Sequence, residues 1–304
     1  MRTERDDAPM AGPRHSRTGP RCGGSGRCAR THVCPTNFAE PREISMPHTS
    51  SNIYWQEHGQ GPLTLVMLPG FGATADLMTG IARHLSGFRV LIFDLPGHGQ
   101  SVHAPADGRL STLAATLHDA INDAGVESYC MVGYSLGGAI AMRIALDYPD
   151  EVRALIGVVP WNAAGTTTGD AVTAGFDAAY GNVEALAQGV AAISVDPSKT
   201  SSLASSMLTV TEQMWHGWLA GGALTSQADE LSGIRIPTCY ILGGKDVVVD
   251  QAKQLDDIRR IRGGRAVLLS ELGHLCGLEM PDVVANEISN FLETQIRTDP
   301  AESR

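Results

Sequence analysis

No apolar run in this chain approaches the roughly 18 residues of a membrane span, which argues against a transmembrane helix. Excess positive charge is also missing. The 304 residues carry a formal net charge of −10, which disfavours a nucleic-acid surface and suits a freely soluble protein, expected in the cytoplasm. A disulfide framework is absent as well. Of six cysteines, Cys22, Cys28 and Cys34 follow C-x5-C-x5-C spacing, with His32 among them. Zinc sites use C-x2–4-C, so no metal site is expected there. Cys130, Cys239 and Cys276 sit in or beside apolar runs and suit a core. There is no internal repeat. The N-terminus lacks the apolar centre of a secretory signal, and Glu4, Asp6 and Asp7 weigh against a transit peptide.

What is present is a globular composition, 43% hydrophobic and 18% charged, in a length that suits one large α/β domain of about 250 residues plus extras. Residues 1–45 stand apart. They hold eight Arg, no Lys and five acids, so they carry +3 while the remainder carries −13. They are rich in Gly, Pro and Ser without apolar periodicity and read as a disordered extension, with the folded chain expected to begin near Met46.

From there strands and helices alternate. Residues 52–57 read as a strand and 58–62 as a turn. The continuous apolar run 63–68 suits a strand buried on both faces, 89–93 reads as the next buried strand, and 129–132, 154–159, 237–242 and 265–269 read as further strands. Helical spacing falls between them, at 74–86, 111–124 with Ser111 as N-cap, 139–146, 250–261, and 281–296 with Pro281 at a first helical position. The alternation stops between about 161 and 230, a stretch rich in Ala, Thr, Ser and Gly that reads as a helical cap insertion. The expected organisation is a core of 46–160 and 231–297, a cap of 161–230, and a disordered tail of 298–304. Strand-then-helix order predicts a mostly parallel sheet with helices on both faces, whose sites lie at the carboxyl ends of the strands.

One such end carries Gly133-Tyr134-Ser135-Leu136-Gly137-Gly138. A G-x-S-x-G between a strand and a helix forms a sharp turn that projects the serine from the top of the sheet. A Cβ at Gly133 or Gly137 would collide with the neighbouring helix or strand. The backbone N–H of Leu136 then lies at a helix N-terminus, unpaired and at the positive dipole end. Serine needs a base, and the base needs a partner that fixes its tautomer. His274 follows the last strand, after Gly273. Asp246 follows a strand through Gly243-Gly244; Asp250, Asp170 and Glu271 compete with it. His98 also ends a strand, but it sits between two glycines and before the serine. The order Ser135, Asp246, His274 is nucleophile, acid, base. A second oxyanion donor is expected after the first buried parallel strand, at the N–H of Phe71 between Gly70 and Gly72.

On these motifs the stretch 52–295 resembles the α/β-hydrolase superfamily, closest to its esterase, enol-lactonase and non-haem peroxidase group. Asp94 to Ser101 resembles that group's D-x-x-G-x-G-x-S segment, and Gly243–Asp246 and Gly273-His274 resemble its acid and base loops. Many members carry His-Gly where this chain has Pro69-Gly70, an exchange that leaves the Phe71 donor intact. The resemblance implies a serine hydrolase without metal or organic cofactor, acting on a small or medium carboxylic ester, thioester or lactone through an acyl-enzyme. Carbon–carbon bond hydrolysis and slow-turnover ligand reception on the same fold are the alternatives. The expected partner is a small acyl substrate, with no nucleic acid and no membrane; the oligomeric state is left open. Candidate pocket walls are Gly70, Tyr134, Trp161, Met207, Trp215, Trp218 and Leu275. The cap residues among them suit plain packing between cap and core equally well.

Overall fold

Six apolar segments assemble into the parallel part of one sheet, five as inner strands and the sixth, 265–269, as its edge. The computed structural model describes residues 44–46, 49–167 and 169–296. The strands are β1 (Ile44–Met46), β2 (Trp55–His58), β3 (Leu63–Leu68), β4 (Phe88–Phe93), β5 (Tyr129–Tyr134), β6 (Val152–Val158), β7 (Thr238–Gly243) and β8 (Arg265–Leu269). They form one eight-stranded sheet in the order β1-β2-β4-β3-β5-β6-β7-β8. Strands β3 to β8 run parallel, and β1 and β2 join antiparallel at one edge. Strands β5 and β7 are buried along their whole length, whereas the edge strand β8 is half exposed. That contrast is what cover on both faces demands of the inner strands.

Ten helices are described: α1 (Ala75–Ala82), α2 (Leu110–Asp123), α3 (Leu136–Asp147), α4 (Ala171–Ala178), α5 (Val183–Ala192), α6 (Ser201–Met207), α7 (Glu212–Ala220), α8 (Gln251–Arg260), α9 (Cys276–Glu279) and α10 (Pro281–Gln295). Helix α1 packs on α10, and α2 packs on α3, so the sheet is sandwiched between two layers. Helices α4 to α7 lie between β6 and β7 in sequence and form the cap. Cap and core are joined at several points. Ser206 Oγ donates to the Gly72 carbonyl (2.7 Å), and Gln227 Nε2 donates to the Ala139 carbonyl (2.9 Å). The Glu279 carboxylate accepts from the N–H groups of Val195 (2.7 Å) and Asp196 (2.8 Å).

Three local expectations change. Strand β1 pairs Ile44 with Glu57 and Ser45 with Gln56, so the sheet takes in the last residues of the segment read as disordered. A strand of three residues has too little pattern to read before its partner is known. Residues 1–43 and 298–304, with Cys22, Cys28 and Cys34, lie outside the described residues. Helix α2 takes Arg109, not Ser111, as its N-cap, because the Asp107 side chain already accepts from the Arg109 N–H (2.9 Å) and turns the chain there. Helix α9 is short and was not expected.

The loop after β4 shows what the Asp94–Ser101 segment does in the fold. Asp94 accepts from the first N–H of α1 at Ala75 (2.6 Å) and from Gln100 N–H (2.8 Å). Ser101 Oγ accepts from Tyr54 N–H (2.9 Å), tying the loop to the approach to β2. His98 is fully buried, with Nδ1 donating to the Pro96 carbonyl (3.1 Å) and Nε2 without a partner among the described residues. Burial pushes its pKa down from 6.5 to about 4. The unfolded chain therefore binds a proton between those values that the folded chain refuses. Stability from this group is complete above about pH 6.5 and is lost as pH falls toward 4. Between pH 7 and pH 5 wild type should lose on the order of 2 kcal/mol more than His98→Gln, measured by urea unfolding at both pH values. A difference between the two proteins that does not change with pH would refute this.

Candidate active site

Strand β5 ends in a backbone turn that few residues tolerate. Ser135 has φ 49° and ψ −115°, and Val159, at the end of the neighbouring β6, has φ 39°. A β-branched residue at positive φ is rare, and such strain persists only when surrounding contacts fix it. Here Ser135 N–H donates to the Val158 carbonyl (3.0 Å). The Ser135 carbonyl accepts from Gly138 N–H (2.8 Å) and Trp161 N–H (2.9 Å). A Cβ on Gly137 would stand 2.3 Å from the Leu68 carbonyl oxygen, and one on Gly133 2.4 Å from that of Gly137. Only glycine lets β3, β5 and α3 approach so closely.

The turn delivers Ser135 Oγ to 3.0 Å from His274 Nε2, and His274 Nδ1 lies 2.9 Å from Asp246 Oδ2. The other Asp246 oxygen accepts from the N–H groups of Val248 (2.8 Å) and Val249 (3.1 Å). These bonds fix the carboxylate and point it at the imidazole. The side chains of Asp246 and His274 are 1% and 7% exposed, so the pair is shielded from water. Its competitors are engaged elsewhere. Asp250 caps α8, accepting from Ala252 and Lys253 N–H, and Asp170 caps α4 through Val172 and Thr173 N–H. Glu271 pairs with Lys245 at 2.5 Å.

Tyr134 supports the base from below. Its hydroxyl donates to the His274 carbonyl and accepts from Gly277 N–H (3.3 Å). Burial raises the phenol pKa well above its ordinary value, so it stays a neutral donor. Burial also pushes the nearby Cys276 thiol up to about 12, which leaves no thiolate to compete as nucleophile.

Leu136 opens α3 and Phe71 lies in the turn after β3. Among the described residues neither N–H donates to a protein acceptor. Both sit where the strand order reverses, with β3 between β4 and β5, the crevice where ligands bind in such sheets. Two unpaired N–H groups beside a buried serine can bind a developing oxyanion.

The cleft over Ser135 encloses about 800 Å³ including its mouth. Gly70, Tyr134, Trp161, Met207, Trp218 and Leu275 all line it, along with Phe71. Trp215 does not. It is fully buried behind Phe71, ring centroids 4.9 Å apart, where it backs the turn instead of meeting ligand. The inner face of a helix cannot be told from its cleft face by apolar spacing alone. The sequence reading missed Leu77 and Met78 of α1 and Val172, Phe176, Ile193 and Leu203 of the cap. Asp170 followed by Val172 and Phe176 is a capped helix start with an i, i+4 apolar pair, a signal that would have found that wall.

A sequence model described as the alpha/beta hydrolase fold matches residues 64–205. With the sheet order and the serine turn, this match gives the chain the α/β-hydrolase fold. The match holds Ser135 but ends before Asp246 and His274. The chain is 39% identical over 109 residues to a pimeloyl-[acyl-carrier protein] methyl ester esterase of Proteus mirabilis (strain HI4320). That stretch is 36% of this chain and 40% of that protein. The enol-lactonase of Burkholderia xenovorans LB400 superposes with TM-score 0.70 at 20% identity, over 79% of this chain and 96% of its own. An esterase of Exiguobacterium antarcticum does so with TM-score 0.72 at 19% identity, over 82% and 100%. No described helix is long and apolar enough to cross a membrane.

The assignment of the acid is testable by contrast. Asp246→Asn should lower kcat about 10³–10⁴-fold with the fold retained, whereas Asp250→Asn should leave it near wild type, since Asn caps a helix as well as Asp. Steady-state kinetics and circular dichroism of both variants decide it. The reverse pattern would mean that Asp250 is the acid.

Proposed function

We propose that the chain is a serine hydrolase of small or medium carboxylic esters, thioesters or lactones. The observation that carries this is the continuous chain from Ser135 Oγ through His274 to Asp246, at 3.0 and 2.9 Å. The names of the esterase and lactonase relatives point to the same chemistry.

In this reading Ser135 Oγ attacks the ester carbonyl as His274 Nε2 takes its proton. Asp246 holds Nδ1–H and stabilises the imidazolium. The negative charge moves to the carbonyl oxygen, where the N–H groups of Phe71 and Leu136 receive it, each contributing about 3 kcal/mol to the transition state. The carbon–oxygen bond to the leaving group then breaks, and the alcohol departs with the proton from His274. A water molecule attacks the acyl-enzyme, with His274 again as base, and the acid is released with Ser135 restored. The cap excludes bulk water, which strengthens each of these charge interactions.

The test is turnover of a p-nitrophenyl ester, followed from the first seconds to the steady state. The expected result is many p-nitrophenolate equivalents per protein, abolished in Ser135→Ala. A single equivalent followed by arrest would instead favour a ligand receptor that becomes acylated, and steady turnover kept by Ser135→Ala would move the chemistry off this serine.

A further inference from the structure

The lining of the cleft and the charge of the cap together specify the substrate more narrowly, on the reading that Ser135 acts on esters. Among the described residues, no Asp, Glu, Lys or Arg lines the cleft. The cap gives it Val172, Phe176, Ile193, Leu203 and Met207, with Thr173 as its one hydroxyl-bearing wall residue. That hydroxyl already donates to the Asp170 carbonyl at 3.1 Å. Tyr134 is likewise committed to the His274 loop, and Trp161 Nε1 donates to the Ala223 carbonyl at 3.1 Å. A carboxylate carried into this space would shed its hydration and meet no cation.

The cap adds a second barrier. Residues 161–230 hold seven carboxylates, from Asp170 to Glu230, against one cation, Lys199. Lys199 is not free to receive an anion. Its ammonium donates to the Glu279 carbonyl at 2.9 Å and lies 3.7 Å from Asp196. His216 is paired with Asp177 at 2.6 Å. Asp229 and Glu230 are likewise paired, with Arg260 and Arg143 of the core, and the carboxylates that remain in excess give the cap a field of the anion's own sign. Apolar chains suffer neither cost, and their burial is favourable along the whole wall.

We propose that the site takes neutral esters whose acyl part is apolar along its length, and that it rejects acyl chains ending in a carboxylate. Rejection arises from the absence of any cation in the cleft, so a cation placed there should relax it. Val172 suits this, because it lines the cleft and is only half-buried, leaving room for a longer side chain to reach water.

The experiment compares methyl octanoate with monomethyl octanedioate. The two are matched in length, and the methyl leaving group is too small to fill the cleft, so the acyl chain must. In wild type kcat/KM should favour methyl octanoate by on the order of 10²-fold or more, the scale set by desolvating an unpaired carboxylate. Binding to Ser135→Ala, read by quenching of the cleft tryptophans, should show the same preference, and Val172→Lys should narrow it at least tenfold. Equal use of the two esters, or preference for the anionic one, overturns the inference while leaving the hydrolase reading intact. Selective binding of methyl octanoate without any turnover by wild type keeps the ligand class and overturns the hydrolase reading. If Val172→Lys does not fold, the matched esters on wild type still decide.

Discussion

The positive φ of Ser135 is the constraint on which the rest of the site depends. A residue held in that conformation costs of order 1–3 kcal/mol and persists only if its surroundings fix it. Here its N–H is bonded to the end of β6, and its carbonyl is bonded to both α3 and the start of the cap. The same turn sets three things at once. It lifts Oγ to the imidazole, it starts α3 at Leu136, and it holds the end of β3 so close that a Cβ on Gly70 would stand 3.2 Å from that of Ser135. Relaxing the turn would therefore disturb Ser135 and the Leu136 N–H proposed to hold the oxyanion together, because both depend on one backbone geometry.

The cap depends on the core through the same neighbourhood. Trp161 leaves the core bonded to the Ser135 carbonyl. Ser206 reaches the Gly72 carbonyl beside Phe71, and Glu279, soon after His274, holds the chain between α5 and α6. Each strand-end loop that supplies a site residue thus also anchors a piece of the cap. Trp215 makes the point well. It touches no cleft space, yet it packs against Phe71 and so couples α7 to the turn that carries the proposed oxyanion donor.

Much of the core was legible in the sequence, because strands buried on both faces are continuous apolar runs bounded by turn residues, as 63–68 and 237–242 show. The serine turn was legible because its glycines answer a steric demand that only a strand–turn–helix makes. Asp246 could be preferred over Asp250 from its Gly-Gly turn, but what separates the two in the structure is that Asp246 lies against His274 while Asp250 is spent on capping α8. That fact exists only once helix boundaries are known. The cap was legible as an insertion and not as a surface. Apolar spacing on α4 and α7 says that one stripe is covered, and whether by core or by ligand depends on how the helices pack. Strand β1 left no trace, since three residues gain their meaning from the edge they pair with.

The central claim is that Ser135 carries the acyl group between two half-reactions. The direct measurement is intact-protein and peptide mass spectrometry of samples acid-quenched during turnover of a p-nitrophenyl ester. The account predicts a mass increase of one acyl group, confined to the peptide that contains Ser135 and lost when substrate is exhausted. Full turnover with no acylated protein, or with the acyl group on a different residue, would contradict it.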